Sequence, residues 1–219
     1  MDDDLTKTIR KDYDKLAEEY TRRIADELQH KPLDRALLDR FAEAVKGRGD
    51  VCDMGCGPGH VARYLHERGV PVVGLDISPG MLEQARKLNP DISFREGDML
   101  ALEMPPESFA GITAFYAIVN IPSHWHRPVF QQMARVLKPD GLLFLAFHVG
   151  DQVLDENELW GHKISMKIVL LQPEEVRYDL EAEGFTVEEI IEREPYPEVE
   201  YPSRRAYIFA RKAAPGREP

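Results

Sequence analysis

The chain has 219 residues, 43% hydrophobic and 31% charged, with a formal net charge of −11 at pH 7. That size and balance fit one soluble globular domain with a substantial core, and no apolar run approaches the roughly 18 residues a membrane helix needs. The acidic balance repels phosphate backbones, and Arg204-Arg205 is only a pair, so neither nucleic acid nor membrane is expected as a partner.

The opening MDDDLTKTIR is acidic, without the apolar stretch or small-residue cleavage site of a secretory leader, so a cytoplasmic protein is expected. Residues 5–28 read as a helix with Ile9, Tyr13, Leu16, Tyr20 and Ile24 on one stripe. Pro32 opens a second helix that buries Leu37, Leu38, Phe41 and Val45 and closes near Gly47. Val51 and Cys52 end a buried strand, followed by Asp53 and a turn containing Gly55, Gly57 and Gly59. Val61, Ala62, Tyr64 and Leu65 continue at helical spacing. Residues 72–78 form a second strand ending in Asp76, with Ser78 and Pro79 as N-cap and first position of the helix carrying Met81, Leu82 and Ala85. A third strand ends in Asp98. A fourth contains Phe109, and the helix after it runs from near Ser123 to Leu137. Residues 137–147 lead through a turn into the fifth. Such alternation implies a parallel sheet covered on both faces.

Glycines at 55, 57 and 59 let the backbone approach a ligand closely. They do not match the dinucleotide spacing G-x-G-x-x-G, which would need glycine where His60 stands. A carboxylate at Asp53, beside the turn, suits a ligand ammonium better than a pyrophosphate. Cys52 and Cys56 flank this turn and supply no full zinc set, so neither disulfide nor metal is expected.

The segments VCDMGCGPG, VVGLDIS, FREGDML and LKPDGLLFLAF resemble, in order and spacing, those of the class I S-adenosylmethionine-dependent methyltransferases. The resemblance covers roughly residues 45–150. It implies an α/β, Rossmann-like, seven-stranded, mostly parallel sheet in the order 3-2-1-4-5-7-6, with the last strand antiparallel and helices on both faces. It also implies S-adenosylmethionine as cofactor: the methionine part at Asp53, Gly55, Cys56 and Gly57, the ribose at Asp76 with Ile77 and Met81 nearby, and the adenine at Asp98 and Met99. YDKLAEEY is similar to the helix that covers the cofactor in many small-molecule members, which puts Tyr20 against it. There is one departure: Ala110 replaces the family's usual acid after Phe109. Asn120-Ile121-Pro122 echoes the motif of amide and base amino methyltransferases but lacks its second proline and aromatic and lies too far past Phe109, so nucleic-acid methylation is not expected.

The whole chain is expected to form one methyltransferase domain: a helical lid (1–45), a cofactor core (46–149), an acceptor-side insert (150–172) and a final helix with β-hairpin (173–212). Residues from Ala213 onward are expected to fray. The expected reaction is methyl transfer to a small-molecule acceptor at oxygen, nitrogen, sulfur or carbon. Alternatives are protein methylation and S-adenosylmethionine binding without transfer. His148, just past the fifth strand, is expected as base or orienter, with His124 next, because ligands sit at the carboxyl ends of such strands. Tyr116, Asn120, Trp160 and His162 are expected to touch the acceptor. His30, His60 and His66 are expected at the surface, and Arg204 and Arg205 in solvent.

Overall fold

The computed structural model describes residues 3–214; residues 215–219, part of the expected frayed end, lie outside the described residues. Helix α1 (Asp3–Ile24) is followed by a 3-10 turn (Glu27–His30) and α2 (Pro32–Val45), so the long first helix of the sequence reading breaks after Ile24. Alternating elements follow: β1 (Val51–Met54), α3 (His60–His66), β2 (Val72–Asp76), α4 (Pro79–Leu88), β3 (Ser93–Glu96), β4 (Phe109–Phe115), α5 (His126–Val136) and β5 (Leu137–Val149). Then come β6 (Val153–Leu159), β7 (His162–Val169), α6 (Pro173–Ala182), β8 (Phe185–Arg193) and β9 (Arg204–Lys212).

Seven strands form one sheet in the order β3-β2-β1-β4-β5-β9-β8. With the β6–β7 hairpin set aside as an insert, this is the expected order. The pairs from β3 to β5 are parallel, and β9 runs antiparallel to β5 and β8. Side chains alternate between faces along each strand. Thus Leu143, Leu145 and Phe147 of β5 pack with α5 and α6 residues such as Phe130, Met133 and Leu180. Leu142, Phe144 and Ala146 pack on the opposite face with Phe41 and Leu65. The Phe144 ring stacks on Phe209 at 4.2 Å between centroids, tying β5 to its antiparallel neighbour.

The connection after β5 is more ordered than the sequence reading allowed. Residues 153–169 form a two-stranded hairpin whose ends pair Leu159 with His162. Trp160 and Gly161 are its two turn residues, at φ 52° and 83°. Positive φ at both central positions is the turn that matches strand twist, and Gly161 meets that demand without a Cβ. The hairpin docks on α1: Leu16 packs with Ile164 and Met166, Ser165 N donates to Asp12 Oδ2 at 2.6 Å, and Lys15 Nζ donates to the Lys163 carbonyl at 3.0 Å.

Candidate active site

The connection out of β1 leads to β2 on one side, while β4 lies on the other, so the carboxyl ends of β1 and β4 flank a topological switch point. Ligands bind α/β sheets at such a crevice. A cavity partly open to solvent lies there.

The glycine turn forms its floor. Gly55 and Gly57 sit at φ 71° and 51°, and a Cβ on Gly55 would collide with the Ala117 Cβ. The turn is fastened to β2 through Asp76. Its Oδ2 accepts from Gly57 N at 2.8 Å and its Oδ1 from Ser78 N at 2.9 Å. Burial outweighs these donors and pushes the Asp76 carboxyl up to about 6. Asp53 is 1% exposed. Its Oδ1 accepts from the Thr113 hydroxyl on β4 at 2.9 Å, and its Oδ2 has no partner. Burial pushes this carboxyl, too, to about 6.

Ser78 caps α4 as its sequence implies, accepting from Met81 N at 3.1 Å. It also donates to Asp14 Oδ1 at 2.6 Å, and Gly80 N donates to the same oxygen at 2.9 Å. Helix α1 is thereby pinned across the mouth of the cavity. Tyr13 and Tyr20 reach down from it into the lining. Asp98 lies two residues beyond the end of β3, not within the strand, where its Oδ1 accepts from Leu100 N at 2.8 Å.

Of the expected cofactor residues, Gly55, Gly57, Asp76, Ile77, Met81, Asp98, Met99 and Tyr20 line the cavity. Asp53 and Cys56 are buried behind that surface. Of the expected acceptor residues, Tyr116 and Asn120 line it. Trp160 stands outside, its ring 5.9 Å from Tyr20 and under the Arg23 guanidinium. His162 faces a separate cleft with Lys15, Glu18 and Arg22. The hairpin tip thus meets residues of α1 and contributes no residue to the cavity lining, which a linear reading of residues 150–172 does not reveal.

The structure corrects the placement of the histidines. His148 does not reach the cavity: its Nδ1 lies 2.8 Å from Ser203 Oγ, and its ring lies 5.0 Å from that of Tyr116, which stands at the cavity wall. Burial, with Arg205 and Lys31 nearby, pushes its pKa down to about 3. His124 is exposed in a 3-10 turn (Ser123–Trp125), its ring tilted beside that of Trp125 at 5.7 Å. His60, read as a surface residue, is largely buried, with Nε2 3.1 Å from Glu27 Oε1. Arg205, read as solvated, is 2% exposed.

Sequence reasoning missed an ion network behind the cavity wall. Glu200 Oε1 lies 3.2 Å from Lys31 Nζ, and both carboxylate oxygens take hydrogen bonds from Arg193, at 2.6 and 2.9 Å. Arg193 also donates to Asp34 Oδ2 at 2.9 Å. The Tyr116 ring separates this network from the cavity, at the strained φ of 52°, with its hydroxyl buried and unpartnered. Its partners come from segments far apart in the chain, so no local motif announces them. Among the described residues no cluster could hold a metal ion, and no helix is long and apolar enough to cross a membrane.

Residues 51–141 match the family described as "Methyltransferase domain". The chain is 33% identical over 161 residues to trans-aconitate 2-methyltransferase of Methylobacterium nodulans, covering 71% of this chain and 53% of that protein. It is 34% identical over 112 residues to demethylmenaquinone methyltransferase of Renibacterium salmoninarum, covering 51% and 46%. It thus spans about half the length of these curated relatives. A solved complex of DhpI with S-adenosylhomocysteine superposes with a TM-score of 0.74 at 20% identity, covering 95% of this chain and 97% of that one.

Proposed function

The chain belongs to the class I S-adenosylmethionine-dependent methyltransferases, and from that membership we propose that it transfers the cofactor's methyl group to a small-molecule acceptor. The observation that carries this reading is the cavity at the switch point, with Asp76 and Asp98 on its wall and Gly55 and Gly57 on its floor. The residues fit the cofactor. Asp76 spends one lone pair of each oxygen on backbone donors and keeps others for ribose hydroxyls. Met99 and Ile77 offer apolar surface beside Asp98 for a purine ring. The two named relatives are both methyltransferases of small molecules by name, which favours that acceptor class over protein.

When bound, the cofactor supplies a methyl group already activated on a sulfonium. The chain's own residues have to hold the acceptor in line and exclude water. Such positioning supplies up to ~7–11 kcal/mol in favourable cases. Beyond the residues named for the cofactor, the lining holds Ile9, Phe115, Tyr116 and Ile121, with Tyr13 and Asn120 as further polar groups. Burial raises the Tyr13 and Tyr116 phenols well above their usual range. They therefore remain protonated donors at neutral pH and do not serve as bases. We therefore assign catalysis to positioning, with α1 as the lid and His148 and His124 outside the reaction.

The test is incubation of purified protein with methyl-labelled S-adenosylmethionine and pools of small-molecule acceptors. Acceptor-dependent release of S-adenosylhomocysteine with label in a small product supports the reading. Label in added protein substrates would move the assignment to protein methylation. Cofactor binding with no turnover in any pool would point to a binding protein.

A further inference from the structure

The wall of the switch-point cavity is charged on one count only. Among the described residues, its charged side chains are two carboxylates, Asp76 and Asp98, both assigned to the cofactor above. The remaining side chains are neutral. Phe115 and Tyr116 stand where β4 ends, edge to face with centroids 6.3 Å apart. Tyr13 and Tyr20 come down from α1, edge to face at 6.0 Å. Aromatic faces of this kind suit another ring or an apolar body. Asn120 spends one amide N–H on the Lys167 carbonyl and one oxygen lone pair on the Tyr13 hydroxyl. It keeps one N–H and one lone pair, which matches a neutral hydroxyl.

Cations stand close by, but behind Tyr116. Lys31 Nζ lies 5.3 Å and the Arg205 guanidinium carbon 5.6 Å from the centroid of the Tyr116 ring. Both residues are buried, and neither lines the cavity. Lys31 is held by Glu27 at 2.6 Å and by Glu200 at 3.2 Å. Arg205 donates to the Ser203 and Tyr201 carbonyls. Its Nε, 3.7 Å from Glu200, keeps an N–H without an acceptor. The Tyr116 ring is thus a partition between a cation-bearing network and a neutral wall. A carboxylate or phosphate brought against that wall would lose water and meet no cation, and a buried unpaired charge is costly. The cofactor's activated methyl meets only the acceptor's reacting atom, so it leaves an anionic group elsewhere on the acceptor unpaired.

We propose that the acceptor is an uncharged molecule with an apolar, ring-sized body and a neutral hydroxyl or similar polar group, and that Tyr116 enforces this choice by screening Lys31 and Arg205 from the cavity. This rests on the methyl-transfer reading above, which leaves the charge of the acceptor open. Tyr116 is then a specificity-determining residue, and its effect falls on acceptors that carry a negative charge.

The test uses a panel of phenols and naphthols, each paired with its ring-carboxylate counterpart. Calorimetry on the whole chain loaded with S-adenosylhomocysteine reads binding, and methyl-labelled S-adenosylmethionine reads transfer. Uncharged members should bind at least about tenfold more tightly than their carboxylate partners. Tyr116→Gly removes the ring and suits the backbone at φ 52°. It should shrink that ratio several-fold by opening the cavity onto Lys31 and Arg205 Nε. Ile9→Lys, from a half-buried position on the lining, adds an ammonium and should shrink the ratio too, so it carries the test if Tyr116→Gly does not fold. Carboxylate members bound as tightly as their partners, no binding of any uncharged member, or a ratio left unmoved by either variant that folds would overturn the proposal. Selective binding with no label transferred to any member would count against the methyl-transfer reading alone, an outcome distinct from failure of the charge selection.

Discussion

The Tyr13 hydroxyl on α1 donates to Asn120 Oδ1 at 2.6 Å, while Asn120 Nδ2 donates to the Lys167 carbonyl on β7 at 2.9 Å. One amide thus joins the covering helix, the loop after β4 and the inserted hairpin at the cavity wall. Tyr13→Phe should leave Asn120 Oδ1 without its donor, at a cost of about 1–3 kcal/mol. Amide exchange along α1 and β7 should quicken together, and S-adenosylhomocysteine affinity should fall several-fold. Unchanged exchange in both elements would show that the Tyr13–Asn120 bond does not hold the cover down.

Asp53 and Asp76 give the protein a pH dependence of definite sign. Burial raises both carboxyls to about 6, above the ordinary value near ~3.9. A raised folded-state pKa contributes stability that is fully present below about pH 4 and lost as pH rises through about 6. Glu27 and Glu200 are lowered to about 2, so their contribution is lost as pH falls from ~4.3 toward 2, outside this window. His148, lowered to about 3, acts in the opposite sense, gaining stability as pH rises through its ordinary value near ~6.5, so the carboxylate effect is read by comparison: the melting temperature of Asp53→Asn relative to wild type should rise from pH 5 to pH 7. A cationic ligand favours the ionised carboxylates, so its binding near pH 6 should release protons. Calorimetry in buffers of different ionisation enthalpy reads that release directly.

His148 should behave as a structural residue. Burial and the nearby cations keep it neutral at every pH above about 3, so the rate should show no histidine limb between pH 5 and 8. On an accepted substrate His148→Ala should lower turnover by less than about tenfold, whereas loss of a general base costs roughly 10²–10⁴-fold. A loss of 10²-fold or more with cofactor affinity intact would return His148 to the reaction.

How much of this was legible depended on how far apart in the chain the interacting groups lie. The strand–turn–helix order and the Ser78 cap follow from spacings of a few residues and could be read directly, whereas Asp98 and Tyr20 were named through the family resemblance and Asp76 through its distance from Asp53 and that resemblance; all three stand at the cavity wall. What failed was long-range. His148 was read as following an apolar strand at the ligand end, but it lies within β5, paired with Arg205, and the β8–β9 connection brings Ser203 against it. Arg205 looks like half of a solvated pair, yet its alternation along β9 turns it inward, where Glu200 stands 3.7 Å away. His60 sits at a helix start that carries no partner signal, because its partner Glu27 stands 33 residues earlier, in the 3-10 turn before α2. Trp160 was read as an acceptor contact because the sequence shows its neighbours but not the hairpin turn that sets it against Tyr20 of α1 and the cluster around Leu16.

The ion network predicts a large effect from a residue remote from the glycine motif. Glu200, with its side chain 1% exposed, faces Lys31, Arg193 and Arg205. Glu200→Ala would leave three buried cations with too few counter-charges, and removing one partner of a buried pair costs about 3–5 kcal/mol. The melting temperature should drop on the order of 10 °C. Differential scanning calorimetry decides the matter, and a shift of a degree or less would mean that water replaces the carboxylate at that site.

The central claim is that the cavity at the β1–β4 switch point binds S-adenosylmethionine through its strand-end carboxylates, and the most direct measurement is a calorimetric titration of wild type and Asp76→Ala with S-adenosylhomocysteine and with NAD. The account predicts one site of micromolar affinity or better for S-adenosylhomocysteine, no measurable binding of NAD, and a loss in the variant of at least about tenfold, in line with ~1.5–3 kcal/mol for each hydrogen bond to a charged group. S-adenosylhomocysteine affinity that is absent in the wild type, or unchanged by Asp76→Ala, would contradict it.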